Sequence, residues 1–262
     1  MEKAEIRVTS EVKLHDPILV EGLPGLGFVG KIAAEHIIRE LGAKQFASLY
    51  SPYLPPQVMI QNDGTVKMMK NELHAYRGKK GQPDIIFLTG DAQGFTIQSH
   101  YAISGTVLDF CKRYGTETVY TLGGFGIGKL VKEPRVFGAV TDKSLIPNLK
   151  KHGVVFQQVT GPIVGAAGLL LGLGALRGMQ GICLMGETHG NYADPKSARR
   201  VTEVLSKLLK LDVSLKDLDK QARETAEILS QFEEMQAASQ QQMVAGGATA
   251  PTKPEEPLAY IR

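Results

Sequence analysis

Apolar and polar residues follow two different periods along the chain. Strands are predicted at six short apolar runs rich in β-branched residues: Pro17–Val20, Gln45–Tyr50, Asp84–Thr89, Thr118–Leu122, Val154–Val159 and Gly181–Met185. Amphipathic stretches between them predict helices at Val29–Leu41, Gln98–Tyr114, Lys143–Lys151, Ile163–Arg177 and Pro195–Leu209. Strands that alternate with helices are typical of an α/β fold, so we expect a largely parallel central sheet flanked by helices.

Two further segments complete the predicted organisation. Residues Val58–Tyr76 alternate around the turn Asn62-Asp63-Gly64 and predict a β-hairpin or meander inserted into the α/β order. Residues Leu215–Met235 carry one apolar stripe and predict a C-terminal helix. From residue 236 the composition turns to Gln, Ala, Gly and Pro, which favours disorder. We therefore expect a single α/β domain over residues 1–235 and a flexible tail over residues 236–262.

Composition and charge exclude several classes of protein. The net charge of +3 is spread along the chain without a run of five like charges, which argues against a nucleic-acid partner. The most apolar run, residues 163–176, is too short to cross a bilayer. Cys111 and Cys183 lie in apolar segments without metal-binding spacing, as expected in a reducing compartment. We expect a cytoplasmic protein without a signal peptide or a membrane partner.

The 29 glycines amount to about 11% of the chain, above the usual 7%, and concentrate in three segments. The first, GLGFVG at residues 25–30, matches the GxGxxG pattern of dinucleotide sites but lacks the acidic residue about 20 positions later. The second, GGFGIGK at residues 123–129, has the spacing of a phosphate loop, with Leu130 where Ser or Thr binds magnesium. Close packing of a structural turn or of a loop at the sheet edge is one interpretation. The alternative is an enzyme that binds a nucleotide or phosphate.

The third glycine segment lies in the predicted helix at residues 163–177. Gly161, Gly165, Gly168 and Gly172 recur at three- and four-residue steps and predict a smooth face that the sheet or another subunit approaches closely.

Candidate catalytic chemistry is sparse. Glu187, His189 and Asp194 share one loop, where polar residues could bind a metal or form an acid–base pair, although such residues are usually structural. No nucleophile motif accompanies them. We therefore expect no enzyme activity, no catalytic residue, no cofactor and no metal.

Four segments resemble a known family. They are ILVEGLPGLGFVGKIAAEHI, TLGGFGIGK, GPIVGAAGLLLGLGALRGMQGICLMGETHGNYADPKSARRV and the helix beginning at Leu215. In this order they resemble the proteasome assembly chaperone family in its archaeal form, from about Ile18 to about Glu233. The resemblance implies a non-enzymatic α/β protein that forms homo-oligomers and binds the proteasome core particle or its α-subunits. It also allows a paralogous chaperone as a further partner.

The resemblance further implies a docking role for the tail. Some members of that family end in a tripeptide of a hydrophobic residue, a tyrosine and any residue, which inserts between α-subunits. Here Leu258, Tyr260, Ile261 and Arg262 supply the same kinds of side chain, with the tyrosine third from the end rather than second. We expect these four residues to dock on the proteasome, in a shifted register.

Overall fold

A computed structural model of the chain describes residues 3–156 and 161–245, with side chains described as far as Gln231. The strands in this part are β1 Glu5–Val8, β2 Ile18–Glu21, β3 Lys44–Tyr50, β4 Val58–Ile60, β5 Val66–Met68, β6 Asn71–Tyr76, β7 Ile85–Gly90, β8 Thr118–Gly126, β9 Val136–Val140, β10 Val154–Val155 and β11 Gln180–Thr188. The α-helices are α1 Val29–Leu41, α2 Ile97–Lys112, α3 Ile146–Lys151, α4 Ala166–Ala175, α5 Pro195–Leu209 and α6 Lys216–Ala245. Short 3₁₀ turns at Leu26–Phe28 and Lys143–Leu145 precede α1 and α3.

Nine strands form the central sheet, in the order β1-β3-β6-β7-β2-β8-β11-β9-β10. The four middle strands, from β7 to β11, run parallel to one another. The pairings from β1 to β7 are antiparallel, and so is the pairing of β11 with β9. The α/β class is therefore confirmed, but the sheet is mixed rather than largely parallel. A short turn joins β6 to β7, and only an antiparallel neighbour can be reached without a long crossover.

Helices cover both faces of this sheet. Along β2 the side chains of Leu19 and Val20 point to opposite faces, as strand geometry requires. Val20 belongs to a core that packs α1 and α5 against the sheet, and Leu19 belongs to a second core beneath α2 and α4. We call these the α1–α5 face and the α2–α4 face.

The predicted bounds of α1 and α5 are confirmed residue for residue. Gly42, with φ of +64°, ends α1 in the left-handed conformation, and the Asp194 side chain caps α5 by accepting a 2.9 Å hydrogen bond from the Ser197 amide. The helix α4 is shorter than predicted because the preceding Gly165 has φ of +85°, which is not helical. Strand β10 ends at Val155, and residues 157–159 of its predicted continuation lie outside the described residues.

The last helix is longer than predicted. Helix α6 continues from Lys216 to Ala245, ten residues past the predicted end at Met235, so residues 236–245, which we expected in the flexible tail, belong to this helix. Gln, Ala and Met are good helix formers, and no Gly or Pro interrupts them before Gly246. The described chain divides into two units, one that ends at Ala222 and one that begins at Arg223.

The inserted hairpin is confirmed as β4 and β5, joined through the turn that contains Gly64, where φ is +83°. The two strands form their own sheet apart from the central one, which β6 joins. Among the described helices, none is both long and apolar enough to span a membrane.

Candidate functional site

The loops that follow the parallel strands meet at one edge of the sheet, because the carboxyl ends of parallel strands lie together. The Gln93 side chain links two of them: its Nε2 donates to the Pro24 carbonyl at 2.7 Å, and its Oε1 accepts from the Ala166 amide at 2.9 Å. The Asp194 amide donates to the Gly27 carbonyl at 2.8 Å. These bonds join the loops after β2, β7 and β11 to the start of α4. We call this edge the strand-end rim.

The first glycine segment serves close packing at this rim. A Cβ atom on Gly30 would collide with the Leu122 backbone carbonyl, and one on Gly22 would collide with the Gly30 carbonyl. Gly27, with φ of +60°, lies against the Thr188 side chain. These contacts let α1 and its entry turn lie directly against β8 and β11, which supports the packing interpretation of residues 25–30.

The second glycine segment was predicted as a loop at the sheet edge, and this prediction is wrong. Gly123–Gly126 are the last residues of β8, in the middle of the sheet, and pair in register with β11. The Leu26 carbonyl passes so close to Gly124 that a side chain there would collide with it. Glycine is needed at that crossing of two backbones, and the next element is β9 rather than a helix. Residues 123–129 therefore lack the strand–loop–helix geometry of a phosphate loop.

Large apolar side chains are exposed on the loops of the strand-end rim. Phe95 is 81% exposed and Val164 is 82% exposed, each beside the start of a helix. Phe28 is also exposed, and its φ of +51° is uncommon for a residue other than glycine. The same edge exposes Leu26, Ile97 and Leu130. Clustered apolar exposure of this kind marks a surface that binds another protein.

The hairpin β4–β5 exposes apolar residues on each of its strands. Val58 pairs with Met68 and Ile60 pairs with Val66, so these four side chains share one face. All four are exposed, Ile60 at 78% and Val66 at 65%. A two-stranded hairpin is marginally stable alone in water, so an uncovered apolar hairpin favours contact with another surface. We call residues 58–68 the apolar arm.

The arm and the rim are joined by the backbone. Tyr53, partly exposed just before the arm, accepts a 3.3 Å hydrogen bond at its carbonyl from the amide of Phe95. Apolar exposure thus extends from the arm to the loop that opens α2.

The third glycine segment does not form the predicted smooth helix face. Gly161 and Gly165 precede α4, and Gly172 has open space around it. Gly168 is approached closely, but by the carbonyl of Ile163 from its own chain segment. Gly165 lies against the Gln93 side chain, whereas among the described atoms nothing approaches Gly161 or Gly172, so the row has no common partner.

The three polar residues expected in one loop have structural roles, and Glu187 lies within β11 rather than in the loop. The Glu187 carboxylate is buried and accepts hydrogen bonds from the Arg135 backbone amide and guanidinium, which hold its pKa below the usual range. His189 stacks on Tyr192 with ring centroids 5.3 Å apart, and Asp194 caps α5. Within residues 3–156 and 161–245, no group of three or more His, Cys, Asp or Glu could hold a metal ion.

A buried carboxyl that the sequence analysis missed lies at the end of β2. Glu21 is 1% exposed. Its Oε1 accepts a 2.9 Å hydrogen bond from the Leu23 amide, whereas its Oε2 has no hydrogen-bond partner among the described atoms. Burial raises its pKa to about 8, so the carboxyl is mostly protonated at neutral pH. Thr121 and Cys183 occupy the same row of neighbouring strands, and both are fully buried. The sequence signal that could have revealed this buried carboxyl is the position of Glu21 as the last residue of an apolar strand.

The described residues thus define an α/β protein whose arm and strand-end rim expose apolar side chains. The PAC2 family matches residues 19–233, and the chain belongs to this family. Membership confirms the resemblance to archaeal proteasome assembly chaperones that the sequence motifs carry.

Several relatives are similar over nearly the whole chain. An uncharacterised protein of Methanocaldococcus jannaschii is 40% identical over 258 residues, 97% of each chain. The crystal structure of Pyrococcus furiosus PbaB, an archaeal proteasome activator, superposes with a TM-score of 0.85 at 42% identity, covering 89% of this chain and 100% of that one. Pyrococcus furiosus PbaA, an archaeal homolog of proteasome-assembly chaperone, gives a TM-score of 0.74 at 29% identity, covering 93% and 97%.

The sequence-predicted docking residues Leu258, Tyr260, Ile261 and Arg262 lie outside the described residues.

Proposed function

We propose that the chain is a non-enzymatic proteasome assembly chaperone-like protein that forms homo-oligomers and binds the proteasome core particle or its α-subunits. The proposal is supported by membership of the PAC2 family and by the similarity to PbaB and PbaA, whose described roles concern the proteasome. The observation that carries it is the apolar exposure of the arm and the strand-end rim, which a hydrogen bond between the Phe95 amide and the Tyr53 carbonyl brings together. A protein that works by contact with other proteins needs such a surface.

Self-association is assigned to this apolar surface. The arm and the rim together expose eleven large apolar side chains: Val58, Met59, Ile60, Val66, Met68, Leu26, Phe28, Phe95, Ile97, Leu130 and Val164. Stable interfaces bury about 800 Å² on each partner through 20–30 residues around an apolar centre. The exposed apolar side chains of the arm and the rim would supply such a centre.

Docking on the proteasome is assigned to the tail residues Leu258, Tyr260, Ile261 and Arg262. An aromatic side chain between aliphatic neighbours can fill a groove between subunits, and several tails on one oligomer would increase avidity.

A pull-down tests the proposal. The full-length protein and a chain that stops at Pro257 are each mixed with archaeal core particle and with isolated α-subunits. We expect the full-length protein to retain the core particle or the α-subunits, and the shortened chain to retain less. Equal retention would move the contact away from the tail, and no retention in either form would contradict the proposed partner.

A further inference from the structure

A groove lies at the edge of the sheet opposite the strand-end rim. It has a volume of about 890 Å³ and is lined by Val8, Glu11–Leu14, Gly42, Lys44, Ala75–Arg77 and Tyr114. Tyr76 ends β6 and pairs with Ile85, the first residue of β7, so this groove lies at the amino ends of the parallel strands. The volume is within the range of known ligand sites. We call it the basic groove.

The floor of the basic groove is apolar and fixed by the core. Val12, Leu14, Ala75 and Tyr114 are partly buried and pack against the core of the α2–α4 face. The Tyr114 ring meets Phe46 edge to face, with centroids 5.9 Å apart. Because these side chains are held by the core, the floor is preformed.

The walls of the basic groove are cationic. Lys13, Lys44 and Arg77 are exposed there, against one carboxylate, Glu11. Lys44 pairs with Ala75 across β3 and β6, which brings Lys44 and Arg77 to neighbouring positions on one face of the sheet.

These three cations are uncompensated. Some other basic residues of the first unit pair with acids, for example Arg39 with Asp217 and Arg177 with Asp109. Within the described residues, none of the three cations of the groove forms such a pair. In a chain whose net charge is only +3, two excess positive charges over an apolar floor make a distinctive site.

We propose that the basic groove binds an acidic polypeptide segment of a partner protein, in which carboxylates flank apolar or aromatic side chains. The apolar floor would take the apolar side chains, and the three cations would take the carboxylates. The groove is bordered by Val8, the last residue of β1, the strand at one end of the sheet order, so an extended chain can approach along that strand. The strand-end rim is at the opposite edge, so both surfaces can be occupied together.

The proposal is tested by fluorescence anisotropy with defined peptides and the full-length protein. The probe is a fluorescein-labelled peptide that alternates Glu with Tyr and Leu, and its comparison replaces every Glu by Gln. We expect saturable binding of the acidic peptide that weakens with added salt, and binding of the Gln peptide that is at least about tenfold weaker.

Two double variants of equal charge change locate the site. Lys44→Glu with Arg77→Glu reverses the groove, whereas Lys79→Glu with Lys80→Glu reverses two exposed lysines outside its lining. We expect the first pair to weaken binding of the acidic peptide by about tenfold or more, and the second by about twofold or less. We also expect the reversed groove to bind a peptide that alternates Lys with Tyr and Leu.

The following outcomes would overturn the proposal. The first is the absence of saturable binding of the acidic peptide at millimolar concentration. The second is equal binding of the Glu and Gln peptides, and the third is an equal effect of the two double variants on binding. A single-stranded oligonucleotide of matched charge that displaces the peptide with equal affinity would show a general polyanion site and also overturn it. Retention of the core particle in the pull-down tests the proposed function, whereas peptide binding tests the basic groove. Failure of one proposal can therefore be distinguished from failure of the other.

Discussion

Replacing Ile60 and Val66 by serine tests whether the apolar arm mediates self-association. The two side chains face each other across β4 and β5, and they are 78% and 65% exposed. Because neighbours in the chain cover so little of them, Ile60→Ser with Val66→Ser should leave the stability of the isolated subunit within about 0.5 kcal/mol. An effect on association can then be separated from an effect on folding.

The magnitude follows from the exposed fractions. Burying a Val or Ile side chain completely stabilises by about 1.5–3 kcal/mol, so covering the exposed parts of this pair supplies about 2–4 kcal/mol per interface. At about 1.4 kcal/mol per factor of ten, the double variant should raise the dissociation constant of the oligomer by about 30-fold to 1,000-fold.

Sedimentation velocity over a concentration series measures this constant, with thermal unfolding as the check on folding. The control is Ile228→Ser, which removes an exposed aliphatic side chain outside the arm and the rim and should leave the constant unchanged. A wild-type protein that stays monomeric throughout, or a double variant that associates as tightly as the wild type, would refute the reasoning.

The remaining predictions concern stability. The pKa of Glu21 in the folded state, about 8, exceeds its value in the unfolded chain. Its contribution to the free energy of unfolding is therefore complete below about pH 4.5 and is lost as the pH rises through 8. Urea unfolding over this pH range should show the loss of stability, and Glu21→Gln should abolish the pH dependence. Parallel pH profiles would contradict this assignment. Gly30→Ala should destabilise by at least about 2 kcal/mol, because its Cβ meets the Leu122 carbonyl. Gly172→Ala, which meets open space inside α4, should stabilise by about 0.5–1 kcal/mol. Equal melting temperatures for the two alanine variants would contradict both.

Local signals predicted the helices well. The ends of α1 and α5 depend on Gly42 and on Asp194 with Pro195, whose effects act within one turn of the chain. The end of α6 was missed because the composition of residues 236–245 is compatible with both a helix and a flexible segment.

Structural features that depend on distant residues could not be predicted from the sequence. The strand character of Gly123–Gly126 comes from pairing with β11 and from the backbone of Leu26 crossing above, although glycine disfavours strands. Strands β1 and β9 were not predicted, and both are short and pair with segments distant in the sequence. The sequence predicted the hairpin but not its exposure, because exposure depends on which elements fail to cover it.

The most direct test of the proposed function is a binding titration of immobilised archaeal core particle with the full-length protein, beside the chain that stops at Pro257. We predict saturable binding of the full-length protein and about tenfold or weaker binding of the shortened chain, since the tail would contribute an anchor at each occupied groove. Absence of saturable binding by the full-length protein would contradict a role as a partner of the proteasome.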